Sequence, residues 1–141
     1  MKRTDNMNDV QDWGELVPEQ WYHVRVAKVK DTMLDAANNE VPMLSKESNE
    51  PICQLNLAIQ DEPFVGRVIV DTPSLQPHAL SKMKRYYSKA GVGILPDGGH
   101  DPQLLLDAEL YVKVTHEVFK GDKRSKITPF NIRGMMEGPG A

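Results

Sequence analysis

Between Asp107 and Phe130 the chain reads DAELYVKVTHEVFKGDKRSKITPF, a stretch whose residue types suit one kind of chemistry. Leu110, Val112, Val114 and Val118 fall on one side of a period-two pattern, with Tyr111, Lys113, Thr115 and Phe119 on the other. In a half-buried strand the second set would stand together on the wet face. A turn through Lys120, Gly121 and Asp122 leads into Lys123, Arg124, Ser125 and Lys126 and a second β-like run. Rings stack on bases and cations neutralise phosphates, so a hairpin of this kind suits an unpaired nucleic-acid strand. Tyr111 and Phe119 are the candidate stacking platforms, and Lys113, Lys120, Lys123, Arg124 and Lys126 the candidate phosphate contacts. A solvated hairpin whose Tyr111 covers a neighbouring strand is the plainer alternative.

The elements that must position this hairpin are legible upstream. WYHVRVAKVK (21–30) alternates, with Tyr22, Val24 and Val26 inward and Trp21, His23 and Arg25 outward. Trp21 and Arg25 either extend the binding surface or, in the case of Trp21, pack beside Trp13 under the N-terminal arm. Residues 52–60 alternate again, with Cys53, Leu55, Leu57 and Ile59 inward, and 67–71 follow a turn with Val68 and Val70 expected in the core. From Pro77 to Ala90 the period becomes helical, gathering Ala79, Leu80, Met83, Tyr86, Tyr87 and Ala90 on one side. Gly91 is placed to end that helix. Residues 31–50 show no periodicity and read as a long functional or mobile loop.

This β-β-β-α-β-β order predicts a mainly β fold, a five-stranded antiparallel OB-fold-like barrel with one helix between strands three and four. The boundaries are an acidic arm at 1–20, a domain at 21–133 containing the 31–51 loop, and a short flexible tail at 134–141.

Charge distribution refines the functional expectation. The 141 residues carry a net charge of −3, which argues against a uniformly basic nucleic-acid binder. Yet Lys113, Lys120, Lys123, Arg124, Lys126 and Arg133 face only Glu117 and Asp122 within 113–133, and Lys82, Lys84, Arg85 and Lys89 face no acid within 82–89. A strand bound at ~8 Å screening length feels those local patches. Lys82, Arg85 and Lys89 form a secondary basic stripe on the helix, suited to phosphate or simply to solubility.

Other chemistry finds little footing. No Gly-x-Ser-x-Gly, His-Glu-x-x-His or Gly-x-x-x-x-Gly-Lys motif occurs, and Asp107 with Glu109 alone does not make a nuclease. No catalytic residue, metal or cofactor is expected. His100 in DGGHDP lacks companions for a metal site, and His78 and His116 stand alone. The single Cys53 sits in an apolar run, as a buried small hydrophobe would. No apolar run approaches the ~20 residues that span a bilayer, so a cytoplasmic protein is expected.

WYHVRV, FVGRVIVD, LSKMKRYYSKAGV and DAELYVKVTHEVFKGDKRSKI, in that order over residues 21 to 132, resemble the short single-stranded DNA-binding proteins of bacteriophages and prophages. The resemblance implies an OB-like fold and sequence-tolerant binding of single-stranded DNA in phage replication or recombination, in the host cytoplasm. It also implies phage replication or recombination proteins as partners and leaves room for a homo-oligomer. The tail NIRGMMEGPGA lacks the acidic, aromatic-tipped end through which bacterial single-strand binders recruit partners. The alternative class is a protein-interaction module that docks a replication, recombination or host-defence protein through the same barrel.

Overall fold

The computed structural model describes residues 16–140. The arm at 1–15, with Trp13, lies outside the described residues, so the expected packing of Trp21 beside Trp13 does too. Among the described residues nine strands form: β1 (Trp21–Lys30), β2 (Thr32–Leu34), β3 (Glu40–Pro42), β4 (Gln54–Ile59), β5 (Val68–Asp71), β6 (Glu109–Lys113), β7 (Thr115–Phe119), β8 (Asp122–Lys126) and β9 (Ile132–Gly134). One helix, α1 (Ser81–Ala90), lies between β5 and β6. The fold is mainly β, and its main sheet is antiparallel with five strands in the order β5-β4-β1-β6-β9. The helix therefore falls between the third and fourth strands of that sheet, where it was expected.

Alternation builds the core. Tyr22, Val24 and Val26 of β1, Leu55, Leu57 and Ile59 of β4, and Leu110 and Val112 of β6 are all buried, with Cys53 beside them. Burial of each aliphatic side chain is worth roughly 1.5–3 kcal/mol. Met83, Tyr86 and Tyr87 of α1 complete the core from the other side. Gly91 adopts φ 73°, and its N–H donates to the Tyr87 carbonyl at 2.8 Å, closing the helix.

One irregularity in β1 matters for the site. Val26 pairs with Leu57 but Lys28 pairs with Asn56, so Ala27 is the extra residue of a bulge. An inserted residue reverses the alternation beyond it. Val29 turns into the core, and Lys28 and Lys30 turn out to solvent.

Several expectations need correction. Val68 and Val70 are not core residues; they are 50% and 52% exposed, and Ile69 between them is buried. The reason is register: Leu57 of β4 faces Ile69, which puts the flanking valines on the outer face. Val118 is likewise 70% exposed rather than inward. The 31–50 segment is not wholly irregular, because β2 and β3 pair as a small ribbon, Thr32 opposite Pro42 through Leu34 opposite Glu40.

The hairpin expected to close the fold is also rearranged. The β1–β6 ladder ends at Val114, whose N–H donates to the Gln20 carbonyl at 3.0 Å, one step beyond the Trp21–Lys113 pair. Beyond it β7 and β8 form a separate two-stranded ribbon, and β9 takes the fifth place in the main sheet. The sheet stays open between its edges β5 and β9. The outer side of β9 is occupied: Arg85 Nε donates to the Ile132 carbonyl at 3.4 Å, and the Gly134 N–H donates to Glu137 Oε1 at 3.0 Å.

Candidate nucleic-acid interface

The β7–β8 ribbon sorts its side chains by register. Thr115 faces Lys126, Glu117 faces Arg124 and Phe119 faces Asp122 on one side, while His116 with Ser125 and Val118 with Lys123 share the other. Paired residues of an antiparallel ribbon point to the same face. Arg124 sits over the Phe119 ring, its guanidinium carbon 4.0 Å from the centroid, and Lys120 Nζ lies 5.4 Å from it. Glu117 binds both cations of this face, accepting from Arg124 Nε at 2.6 Å and pairing with Lys126 Nζ at 3.2 Å. Those hydrogen bonds, from Arg124 first and then Lys126, hold the Glu117 carboxyl below its ordinary range. Lys123 points away from this group.

Phe119, Lys120, Arg124 and Lys126 are thus brought together. The other expected site residues lie elsewhere. Tyr111 and Lys113 belong to β6 in the main sheet, opposite His23 and Trp21 of β1. Tyr111 is half-buried, with its ring centroid 5.5 Å from that of His23. The indole of Trp21 lies beneath the C-terminal tail, so closely that a Cβ added at Gly140 would come within 2.6 Å of it. Its Nε1 is buried with no hydrogen-bond partner among the described residues. Arg25 pairs with Asp107 at 2.8 Å and His23 with Glu109 at 2.9 Å.

The helical basic stripe is engaged in holding the fold. Lys82 pairs with Asp71 at 2.8 Å, Lys89 with Glu137 at 2.6 Å, and Arg85 reaches the Ile132 carbonyl. Those acids lie far off in the sequence, which is why the stripe looks unpaired when 82–89 is read alone.

A groove that the alternation pattern does not reveal connects the ribbon with the 31–50 segment. It has a volume of about 620 Å³. Lys30, Lys46 and Arg124 supply positive charge, and Met33, Met43 and Ile52 supply apolar wall. Gln54 and Thr72 add polar groups, and Glu47 is the acid in the lining. Lys30 reaches the groove because the Ala27 bulge turned it outward; no alternation pattern could have announced that. Lys46 had a visible signal, as the single cation in an otherwise acidic loop.

Arg124 also lines a second cleft of about 280 Å³, shared with Leu16, Val17, Ser125 and the edge strand at 67–70. The ribbon is anchored beside that cleft. The His116 N–H donates to Glu19 Oε2 at 2.9 Å, and His116 Nε2 lies 2.7 Å from the Val17 carbonyl.

Among the described residues no group of three or more His, Cys, Asp and Glu side chains is placed to hold a metal ion. Among the described residues no helix is long and apolar enough to cross a membrane. The chain matches no described protein family and no curated protein.

Proposed function

We propose that this protein is a non-catalytic, sequence-tolerant binder of single-stranded DNA, and that its strand lies in the groove between the 31–50 segment and the β7–β8 ribbon. The observation that carries the reading is the groove's lining: three cations from three separate segments converge over an apolar wall, one of them stacked on an aromatic ring. Guanidinium planes stack on bases as well as pairing with phosphate. Arg124 on Phe119 therefore offers a base a flat platform with a charge attached. The methionines adapt to bases of different shape.

Connectivity supports the same conclusion. Counted along the main sheet, the order is third, second, first, fourth, fifth, with α1 between third and fourth. We read that order as an OB barrel opened between its third and fifth strands. OB-folds bind oligonucleotides on the face of strands two and three, between the loop joining strands one and two and the loop joining four and five. The groove here lies between those two connections, with Gln54 from the second strand in its lining. The fold likeness is analogy; the groove is what argues for binding. The resemblance to phage and prophage single-strand binders supports DNA as the strand and replication or recombination as the setting.

Fluorescence anisotropy of a labelled oligo(dT) with the full chain, at two salt concentrations, tests the reading. Binding tighter than about 10 μM that weakens with salt is expected. No change in signal at either salt rejects it and leaves the protein-docking alternative.

A further inference from the structure

We infer that the cleft between α1 and the 91–100 loop is a docking groove for a partner protein's peptide segment that presents a bulky apolar side chain next to Asp or Glu. The inference is independent of the nucleic-acid reading, since none of its residues lines the cationic groove. The cleft has a volume of about 410 Å³, with Leu80, Met83, Tyr87 and Ile94 as apolar walls and Lys84 and His100 beside them. That volume lies within the range of ligand sites, which are mostly apolar with a few placed polar groups.

The groove is preformed. Gly93, at φ 102°, presses so closely on the Tyr87 ring that an added Cβ would come within 2.1 Å of it. The loop beyond is tied by the Ile94–His100 bridge, by the Leu95 N–H donating to the Gly99 carbonyl at 2.8 Å, and by the Asp101 N–H donating to the Gly93 carbonyl at 2.9 Å. The Tyr87 hydroxyl and His100 Nδ1, 2.7 Å apart, join the loop to the helix. A preformed groove avoids part of the ordering cost of association.

Exposure and shape indicate a peptide. Ile94 is 54% exposed and Val92 43%, and large apolar side chains in contact with a cleft mark interaction surfaces. A second cleft of about 230 Å³ shares Tyr87 and Ile94 with the first and continues past Val92 and Gly91. The two clefts adjoin at Tyr87 and Ile94, so an extended segment can place neighbouring side chains in both. Charge then selects the segment. Lys82 and Lys89 are each paired with an acid, whereas Lys84 at the groove makes no ion pair among the described residues. One ammonium beside an apolar wall complements one carboxylate beside an apolar side chain; a phosphate backbone would need several cations.

Selection of random heptapeptides displayed on phage against the immobilised full chain tests this. Enriched sequences should combine a Leu, Ile, Phe or Trp with a neighbouring Asp or Glu. A labelled peptide of the consensus should bind Ile94→Asp and Lys84→Glu at least about tenfold more weakly than wild type. Both positions are exposed, and far-UV circular dichroism checks that the variants fold. Oligo(dT) binding should be the same in all three proteins. No enrichment, a consensus without acids, or a consensus peptide that binds both variants like wild type overturns the proposal. So does a concentration-dependent dimer that Ile94→Asp dissociates, since a second copy would then be the occupant.

Discussion

Arg124 is held from two directions: the Phe119 ring lies 4.0 Å from its guanidinium carbon, and Glu117 Oε1 sits 2.6 Å from its Nε. The ring flanks the guanidinium, while the carboxylate takes up its Nε–H donor. On the proposed function, a bound strand must compete with Glu117 for Arg124 and Lys126.

Glu117→Gln should therefore tighten oligo(dT) binding at low salt, by about threefold to fivefold, the range of an exposed ion pair. Arg124→Ala should weaken it more than that at every salt, because the stacking plane is lost along with the charge. Anisotropy titrations decide both. A Glu117→Gln protein that binds no better than wild type removes the competition from the account.

Lys30 and Lys46 line the groove and Lys123 points to the opposite face of the ribbon. Lys30→Ala and Lys46→Ala should each reduce the slope of log K against log salt by about 0.7, the value for one phosphate contact on a single strand. Lys123→Ala should leave the slope unchanged. The reverse pattern would put the strand on the other side of the ribbon.

Glu137 links the tail to the helix, and its carboxyl is lowered from 4.5 to about 2, first by the Lys89 hydrogen bond and then by the Gly134 N–H. A group whose pKa is depressed on folding contributes stability that is complete above its unfolded value and disappears as pH falls through the folded one. Tail attachment should thus weaken between about pH 4.5 and 2. Trp21 reports it, because Gly140 covers the indole. In a Trp13→Phe background, Glu137→Gln should red-shift Trp21 emission already at neutral pH; an unshifted spectrum would mean that the tail is held by other contacts.

Asp71 ties α1 to β5, receiving the Tyr86 hydroxyl at 2.6 Å and the Lys82 ammonium at 2.8 Å. Burial, and then Asp71 itself, push the Tyr86 phenol well above its ordinary pKa. Asp71→Ala strands a buried hydroxyl and a half-buried cation, which should cost about 2–3 kcal/mol in urea unfolding. Tyr86→Phe should cost about 1 kcal/mol, since it removes the donor and leaves a carboxylate still paired with Lys82.

Much of the fold was legible because it rests on alternation. Tyr22-Val24-Val26 and Leu55-Leu57-Ile59 alternate with polar or small neighbours, leaving one choice of buried face. Val68-Ile69-Val70 is apolar at both parities, so period alone could not choose, and the register against Leu57 chose Ile69. The break at Val114 was hidden for a related reason. Alternation continues across it in the sequence, although β6 pairs with β1 and β7 pairs with β8. β9 is three residues long, too short to carry a pattern. As for the candidate site, Phe119, Lys120, Arg124 and Lys126 can be grouped from the sequence because they are neighbours in one hairpin. Lys30 and Lys46 cannot be added to that group from the sequence, because a bulge and a loop bring them to the groove.

The guarded outer side of β9 limits how copies of this chain can join. Arg85 and Glu137 occupy the Ile132 carbonyl and the Gly134 amide, so a visiting strand finds no ladder to extend there. Among the described residues β5 is the other edge of the main sheet, so strand addition to that sheet is expected there rather than at β9. Two molecules joined edge to edge at β5 about a twofold axis would leave their guarded β9 strands outermost. Extension of the main sheet would then stop at a pair.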